Sequence, residues 1–206
     1  MSATPAHSPS STPASSARLD VHRLLSRRAQ SIDASGIRKV FDLAAHLKDP
    51  INLSIGQPDF PVPDSLKRAA IRAIEENRNG YTQTQGCPEL LGAIWRRRGN
   101  EVGWNPDPAH GLSAIVTSGT SGGLVLGMMC LLDAGDEAIV PDPYFVMYPQ
   151  LAALTGGKIV LCDTYPDFRM TADRIEPLIT PRTKAVLVNS PGNPTGVVLS
   201  SRELSD

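Results

Sequence analysis

The stretch from Leu112 to Tyr148 limits most strongly what this chain can fold into. Ala114 to Val116 predicts a short apolar strand, Thr117 to Gly123 is a run of small residues, and Leu124 to Leu132 predicts an apolar helix. Small residues let backbone amides converge, and the unpaired N–H groups and positive dipole end of the helix face the turn. The pattern predicts an anion-binding turn suited to phosphate. An ordinary strand-to-helix connection is the alternative.

This turn matches neither of the common phosphate-binding fingerprints. No Lys-Ser or Lys-Thr pair closes it as in a P-loop, and the chain contains no G-x-G-x-x-G. We therefore expect the turn to serve a different phosphate-bearing ligand.

Strands and helices alternate after the turn. The pattern predicts strands at Ala138–Val140, Lys158–Cys162 and Ala185–Val188, with helices around Leu151 and over Thr171–Ile179. Such alternation is typical of an α/β fold with a mainly parallel sheet covered on both faces, which makes three layers. Ligands of such sheets bind beyond the carboxyl ends of the strands.

Three segments are expected at that carboxyl edge, and together they favour a shared binding site. They are the small-residue turn, the pair Tyr144-Phe145 after the first of these strands, and the segment after Val188. The last segment contains Asn193 in a rigid Asn-Pro-Thr-Gly turn.

Composition excludes several classes of partner. The chain has 20 basic and 21 acidic residues and is 41% apolar, so neither nucleic acid nor a membrane surface is expected as a partner. Ser113 to Leu132 carries no charge, but its Gly, Ser and Thr content argues against a transmembrane helix. Cys87, Cys130 and Cys162 lack metal-ligand spacing; Cys130 and Cys162 lie in apolar runs and are expected to be buried thiols. A cytoplasmic protein without a metal site is predicted.

The first residues of the chain predict a disordered tail at 1–17, rich in Ser, Ala, Pro and Thr. Arg18, Arg23, Arg27 and Arg28 follow with only Asp20 opposing them, which weakly resembles an organellar transit peptide. Whether the tail is a targeting segment stays open.

Three amphipathic helices are predicted between the tail and the turn. They cover Ser31–Leu47, Pro63–Asn77 and Pro88–Glu101. Between them, Gly56 lies in an Ile-Gly-Gln-Pro-Asp-Phe segment that invites close backbone approach, and Tyr81 begins a polar loop that ends at Gly86.

Taken in order, these motifs closely resemble class I aminotransferases of the aspartate aminotransferase superfamily, which are fold-type I enzymes that use pyridoxal 5'-phosphate. The resemblance covers roughly Ile37 to Asp206 and rests on the Gly56 segment, the Ser-Gly-Thr-Ser turn, Pro-Tyr-Phe and Asn-Pro-Thr-Gly. It implies amino acid and 2-oxo acid substrates and a homodimer with shared active sites.

The resemblance also implies roles for individual residues. Gly119, Thr120 and Ser121 would hold the cofactor phosphate. Phe145 would stack on the pyridine ring, with Tyr144 as the alternative because the two adjacent aromatics leave the register open. Asn193 would hydrogen-bond the phenolic oxygen. Two further residues complete the set: Gly56 would approach the substrate carboxylate, and Tyr81 would reach the phosphate of the neighbouring subunit's cofactor.

No catalytic lysine can be named in this chain. All five lysines precede the Asn-Pro-Thr-Gly turn, whereas the resemblance implies a Schiff-base lysine well after it. We therefore expect an N-terminal portion that is inactive alone. Its expected organisation is a tail at 1–17, an N-terminal arm and small-domain segment at 18–60, and a partial large domain at 61–206.

Two alternative functions stay open. A β-lyase or cyclising synthase would use the same phosphate site for a different reaction. A non-catalytic module would keep the fold for ligand sensing or dimerisation.

Overall fold

The computed structural model describes residues 20–32, 36, 40, 43–44, 47–49, 51, 56, 58–104 and 111–206. The tail expected at 1–17 lies outside these residues, as do Ile37 and Phe41 of the first expected amphipathic helix. Short helical segments occupy Val21–Leu24, a 3₁₀ turn, and Arg27–Gln30, helix α1. Among the described residues, no helix is both long and apolar enough to cross a bilayer.

A three-stranded parallel sheet forms the centre of the fold. Strand β1 is Glu137–Asp142, β2 is Lys158–Asp163 and β3 is Thr183–Val186, arranged in the order β2-β1-β3. Ala138 pairs with Ile159 on one side and with Ala185 on the other. The predicted parallel sheet is therefore confirmed.

Helices cover both faces of the sheet because side chains alternate along β1. Ala138 and Val140 point to a face packed by helix α4, Gly119–Leu131, and helix α5, Tyr148–Thr155. Ile139 points to the other face, where it packs with Cys162 and Met170 beneath helix α6, Ala172–Ile175, and the 3₁₀ turn Glu176–Leu178. The fold is the predicted three-layer α/β arrangement.

A buried carboxylate fixes the amino end of β1. The Glu137 side chain is 2% exposed and accepts hydrogen bonds from the Thr180 hydroxyl at 2.7 Å and the Arg182 guanidinium at 2.8 Å. The Thr180 bond and then the Arg182 bond lower the pKa of Glu137 below its ordinary value. These bonds join β1 to the turn that precedes β3.

Two longer helices precede the sheet. Helix α2 is Asp64–Glu75 and helix α3 is Pro88–Val102, close to the predicted limits. Neither contains a buried residue. The apolar stripe predicted on α2, which includes Leu66, Ile71 and Ile74, is more than half exposed in the described part of the chain.

Three predictions about the stretch around the turn need correction. Ala114–Val116 has no regular strand, and its bond to another described segment runs from the Val116 N–H to the Gln85 carbonyl at 2.8 Å. Within the described residues, no strand pairs with this segment to form a ladder. Helix α4 begins at Gly119 rather than Leu124, so the small residues form its first turns. Cys130 is exposed because its side of α4 faces away from the sheet.

Strand β3 begins two residues earlier than predicted. It covers Thr183–Val186, although the Leu187 N–H still donates to the Ile139 carbonyl at 2.9 Å. The register shift between Glu137 and Ala138 accounts for the irregular pairing along this edge.

The last helix, α7, is Ser201–Ser205. A capping box opens it: the Ser200 hydroxyl accepts from the Glu203 N–H, and the Glu203 carboxylate accepts from the Ser200 N–H.

Candidate anion-binding site at the sheet edge

The amino end of α4 presents backbone N–H groups that need acceptors. The Gly122 N–H donates to the Ser118 carbonyl at 3.3 Å, which starts the helical ladder. The N–H groups of Thr120 and Ser121 have no acceptor in the described part of the chain, and Ser118 supplies no side-chain cap. Two unsatisfied donors at the positive end of a helix dipole attract an anion.

Gly119 gives this end of the helix its shape. Its φ is +66°, in the left-handed region that glycine adopts without steric cost. The Thr117 hydroxyl donates to the Gly119 carbonyl at 2.8 Å, which fixes the turn from the other side. A side chain at Gly119 would meet no neighbour, so the glycine is required by the backbone conformation.

The loop that contains Tyr81 is anchored beside this turn. Gly86 has a φ of +119°, and a β-carbon there would lie 2.5 Å from the Val116 Cγ2 atom. Glycine is therefore needed where the loop passes Val116, next to the Gln85 bond described above. Thr84 of the same loop lines an open cleft together with Ser118 and Ser121. The sequence interpretation did not single out Thr84 or Gly86, although a glycine closing a polar loop was a usable signal.

The segment after β1 forms another wall of that cleft through Met147. Phe145 is half-buried against the core and contacts Tyr148 edge to face, with ring centroids 5.8 Å apart. Tyr144 is exposed at the surface. The Tyr148 hydroxyl is a donor at neutral pH, as in any tyrosine, and burial raises its pKa further.

The segment after β3 carries Asn193. Its backbone N–H donates to the Asn189 Oδ1 atom at 2.9 Å, while its side chain is exposed and has no partner among the described residues. The same Asn189 oxygen accepts from the Tyr148 hydroxyl at 3.5 Å. Asn189 thus contacts the segments that follow both β1 and β3. The sequence carries no signal for this role, because only the Asn-Pro-Thr-Gly turn after Asn189 forms a recognisable motif.

An ion pair holds the chain just beyond this turn. The Arg169 Nη2 atom donates to the Val198 carbonyl at 3.3 Å and to the Glu203 carboxylate at 2.7 Å. The Arg169 bond is the main cause that lowers the pKa of Glu203. The loop after β2 and helix α7 therefore brace the polypeptide that carries Asn193.

Gly56 and Tyr81 are not gathered into the same arrangement. The Tyr81 side chain is fully exposed, and a β-carbon added at Gly56 would meet nothing within 4 Å. The other candidates lie at the carboxyl edge of the sheet. Those candidates are Gly119, Thr120, Ser121, Phe145 and Asn193.

This geometry describes an α/β protein with a parallel sheet and a helix whose amino end carries N–H groups without acceptors in the described part of the chain. The family model for class I and II aminotransferases matches residues 48–206, and the chain belongs to that family.

Similar proteins agree with that membership. The chain is 35% identical to "Aromatic-amino-acid aminotransferase 2" of Thermococcus litoralis and 40% identical to "Probable N-acetyl-LL-diaminopimelate aminotransferase" of Bacillus subtilis. These matches cover 88% and 89% of this chain and 47% of each relative. The chain thus spans about half the length of these curated relatives.

Among solved structures, the aspartate aminotransferase of Thermus thermophilus with maleate matches with a TM-score of 0.80 and 38% identity. The match covers 87% of this chain and 48% of that structure. The fold prediction and the predicted family are both confirmed.

Proposed function

We propose that the complete gene product containing this chain is a pyridoxal-phosphate-dependent aminotransferase, which moves an amino group between an amino acid and a 2-oxo acid. One observation carries the proposal. The acceptor-free N–H groups of Thr120 and Ser121 lie at the same sheet edge as the Asn193 carboxamide and the Phe145 ring. Family membership supports the reaction class, since the relatives described above are named aminotransferases.

The chemistry of these donors fits the cofactor. Backbone N–H groups and the Thr120 and Ser121 hydroxyls suit a phosphate dianion at the positive end of α4. An aromatic ring and a carboxamide suit a flat, polar heterocycle. When bound, pyridoxal phosphate supplies an electron sink that stabilises negative charge at the α-carbon of an amino acid.

Each candidate residue then has a distinct role in the proposal. Gly119, Thr120 and Ser121 bind the phosphate. Phe145 stacks on the ring, because it is half-buried beside Tyr148 whereas Tyr144 is more exposed. Asn193 donates a hydrogen bond to the phenolic oxygen and so favours its deprotonated form.

Gly56 and Tyr81 complete the proposed site. Gly56 allows the substrate carboxylate to approach the backbone, supported by the open space around it. Tyr81 reaches the cofactor phosphate of a second subunit. This role is supported by a side chain that is fully exposed in the described part of its own subunit. The assembly proposed is a homodimer with shared active sites.

The 206-residue chain is proposed to be inactive alone. Lys158 and Lys184 lie near the amino ends of β2 and β3, opposite to the edge that carries Asn193, and Lys67 pairs with Asp64 on α2 at 3.3 Å. The positions of Lys158 and Lys184 at the opposite edge support this proposal.

The remaining expectations stand as proposals. Residues 18–60 form an N-terminal arm and small-domain segment, and residues 61–206 form part of the large domain. The proposed compartment is the cytoplasm, which suits the three free cysteines.

The half-reaction tests this function. The complete gene product, loaded with cofactor and mixed with single amino acids, should convert the cofactor from its aldehyde to its amine form, and 2-oxo acids should reverse the absorbance change. Release of ammonia from the substrate instead would favour a lyase. Cofactor binding without either reaction would favour a non-catalytic module.

A second test addresses the chain alone. Borohydride reduction of the 206-residue chain with cofactor should give no defined product. A stoichiometric adduct on one specific lysine would contradict the proposed inactivity.

A further inference from the structure

The side chain of Asn189 lies between two segments that the proposed function uses. Its Oδ1 atom accepts the Asn193 N–H at 2.9 Å and the Tyr148 hydroxyl at 3.5 Å. Tyr148 is buried and contacts Phe145 edge to face. The carboxamide oxygen of Asn189 therefore connects Tyr148, which packs against Phe145 after β1, to the backbone of Asn193 after β3.

We propose that Asn189, hydrogen-bonded to the Tyr148 hydroxyl, is a positioning residue that fixes the Asn193 carboxamide relative to the Phe145 ring. The inference rests on the proposed function, because it assigns Asn193 a target on the cofactor. Asn189 itself contacts the Asn193 backbone, so its action on that target passes through Asn193.

The geometry explains why this position needs an acceptor. The Asn193 side chain is exposed and has no partner among the described residues, so its direction depends on how its backbone is held. The Asn189 bond spans four residues and closes the turn on itself. Such a side-chain bond to a nearby backbone N–H stabilises a turn whose backbone groups do not take part in strand or helix hydrogen bonding.

The second bond makes Asn189 more than a turn-forming residue. A turn needs only the Asn193 N–H, whereas the Tyr148 hydroxyl approaches from helix α5. That hydroxyl is a donor through the neutral range, because the ordinary pKa of a tyrosine lies well above it. The Asn189 oxygen is thereby kept facing both groups.

The test follows the pH at which the visible absorbance of the bound cofactor changes. A hydrogen bond to the deprotonated phenolic oxygen lowers this midpoint, so weakening the bond should raise it. We expect Asn193→Ala to raise the midpoint by about 1–2 pH units and Asn189→Ala by about 0.5–1 unit. Tyr148→Phe, which keeps the ring, should produce a smaller rise.

Matched controls separate positioning from general damage. Asn100→Ala changes an exposed asparagine on α3, and Tyr165→Phe changes the exposed tyrosine of a second edge-to-face pair, whose centroids are 5.1 Å apart. Both should leave the midpoint unchanged. Thermal unfolding without cofactor shows whether each variant is folded. If Asn189→Ala fails to fold, Tyr148→Phe against Tyr165→Phe decides the question.

The outcomes distinguish the two proposals. If Asn193→Ala shifts the midpoint while folded Asn189→Ala and Tyr148→Phe behave like their controls, the positioning role is wrong and the proposed function stands. If Asn193→Ala leaves the midpoint unchanged, the proposed role of Asn193 fails and the positioning role fails with it.

Discussion

The buried apolar side chains of the described chain lie in the sheet unit, residues 119–199, and none lies in the helical segment, residues 58–104. Ile139 and Leu151 of the sheet unit are completely buried, whereas Ile74 of α2 is 77% exposed. The sheet unit therefore supplies its own core. The helical segment presents an apolar face that the described chain leaves uncovered.

The candidate site divides along the same line. Thr120, Phe145 and Asn193 lie on elements fixed by the sheet, while Tyr81 extends from the helical segment into solvent. The difference teaches that the sheet can fix the residues proposed to bind phosphate. Residues proposed to act on a second subunit need not be held by the core of their own subunit. The following predictions test that division.

Thr120→Asp should give the largest effect. Two unit charges about 4 Å apart interact by roughly 4 kcal/mol at an effective dielectric near 20, so cofactor affinity should fall about a thousandfold. Absorbance titration of the complete gene product measures the affinity, and circular dichroism checks the fold. Thr120→Ser keeps the hydroxyl and should bind nearly as well as the native protein. Equal affinity of a folded Thr120→Asp variant would return the turn to a purely structural role.

Ile139→Ala compared with Ile74→Ala tests the packing difference. The first change removes a fully buried side chain and should lower the free energy of unfolding by about 2–5 kcal/mol. The second changes an exposed residue and should cost no more than about 0.5 kcal/mol in this chain. Urea unfolding measures both. Comparable losses would mean that α2 is packed as tightly as β1.

Gly119→Ala compared with Gly127→Ala tests the left-handed turn at the start of α4. A β-carbon at a positive φ costs about 1–2 kcal/mol, so Gly119→Ala should destabilise the protein and weaken cofactor binding about tenfold. Gly127 lies within the same helix with open space around it, and Gly127→Ala should stabilise by up to about 1 kcal/mol. Opposite signs in thermal unfolding are expected; losses of the same size would contradict the conformational explanation.

Glu137→Gln should lower the stability of the sheet unit more at neutral pH than in acid. Because the folded-state pKa of Glu137 is lowered, its contribution is fully present above the ordinary glutamate pKa and is lost as the pH falls from there through the lowered folded-state pKa. The native protein should lose stability more steeply than the variant between about pH 5 and pH 3. Urea midpoints across this range measure the slopes. Parallel curves for the two proteins would show that this carboxylate is not a source of the acid sensitivity.

The sequence predicted the sheet unit well because its signals were local. Ala138 to Val140 is short, apolar and bounded by turns, and Gly156 ends α5 with a φ of +81°, as a glycine after a helix should. Ser200 and Glu203 likewise form their capping box from residues three apart.

Features that depend on distant residues could not be read in the same way. Ala114–Val116 has the composition of a strand, but a strand requires a neighbour, and among the described residues its bond to another segment is the single one to Gln85. The apolar stripe on α2 indicates that one face is buried, but the sequence does not show which element covers that face. The Asn189 oxygen accepts from Asn193 and from Tyr148 on α5. Tyr148 lies 41 residues away in the sequence, too far for a local spacing pattern to reveal the contact.

The central claim is that the amino end of α4 binds the phosphate of the cofactor. A crystal structure of the complete gene product with pyridoxal phosphate tests it most directly. The account predicts phosphate oxygens about 2.7–3.2 Å from the backbone nitrogens of Thr120 and Ser121. A phosphate bound elsewhere, with both N–H groups facing solvent, would contradict it.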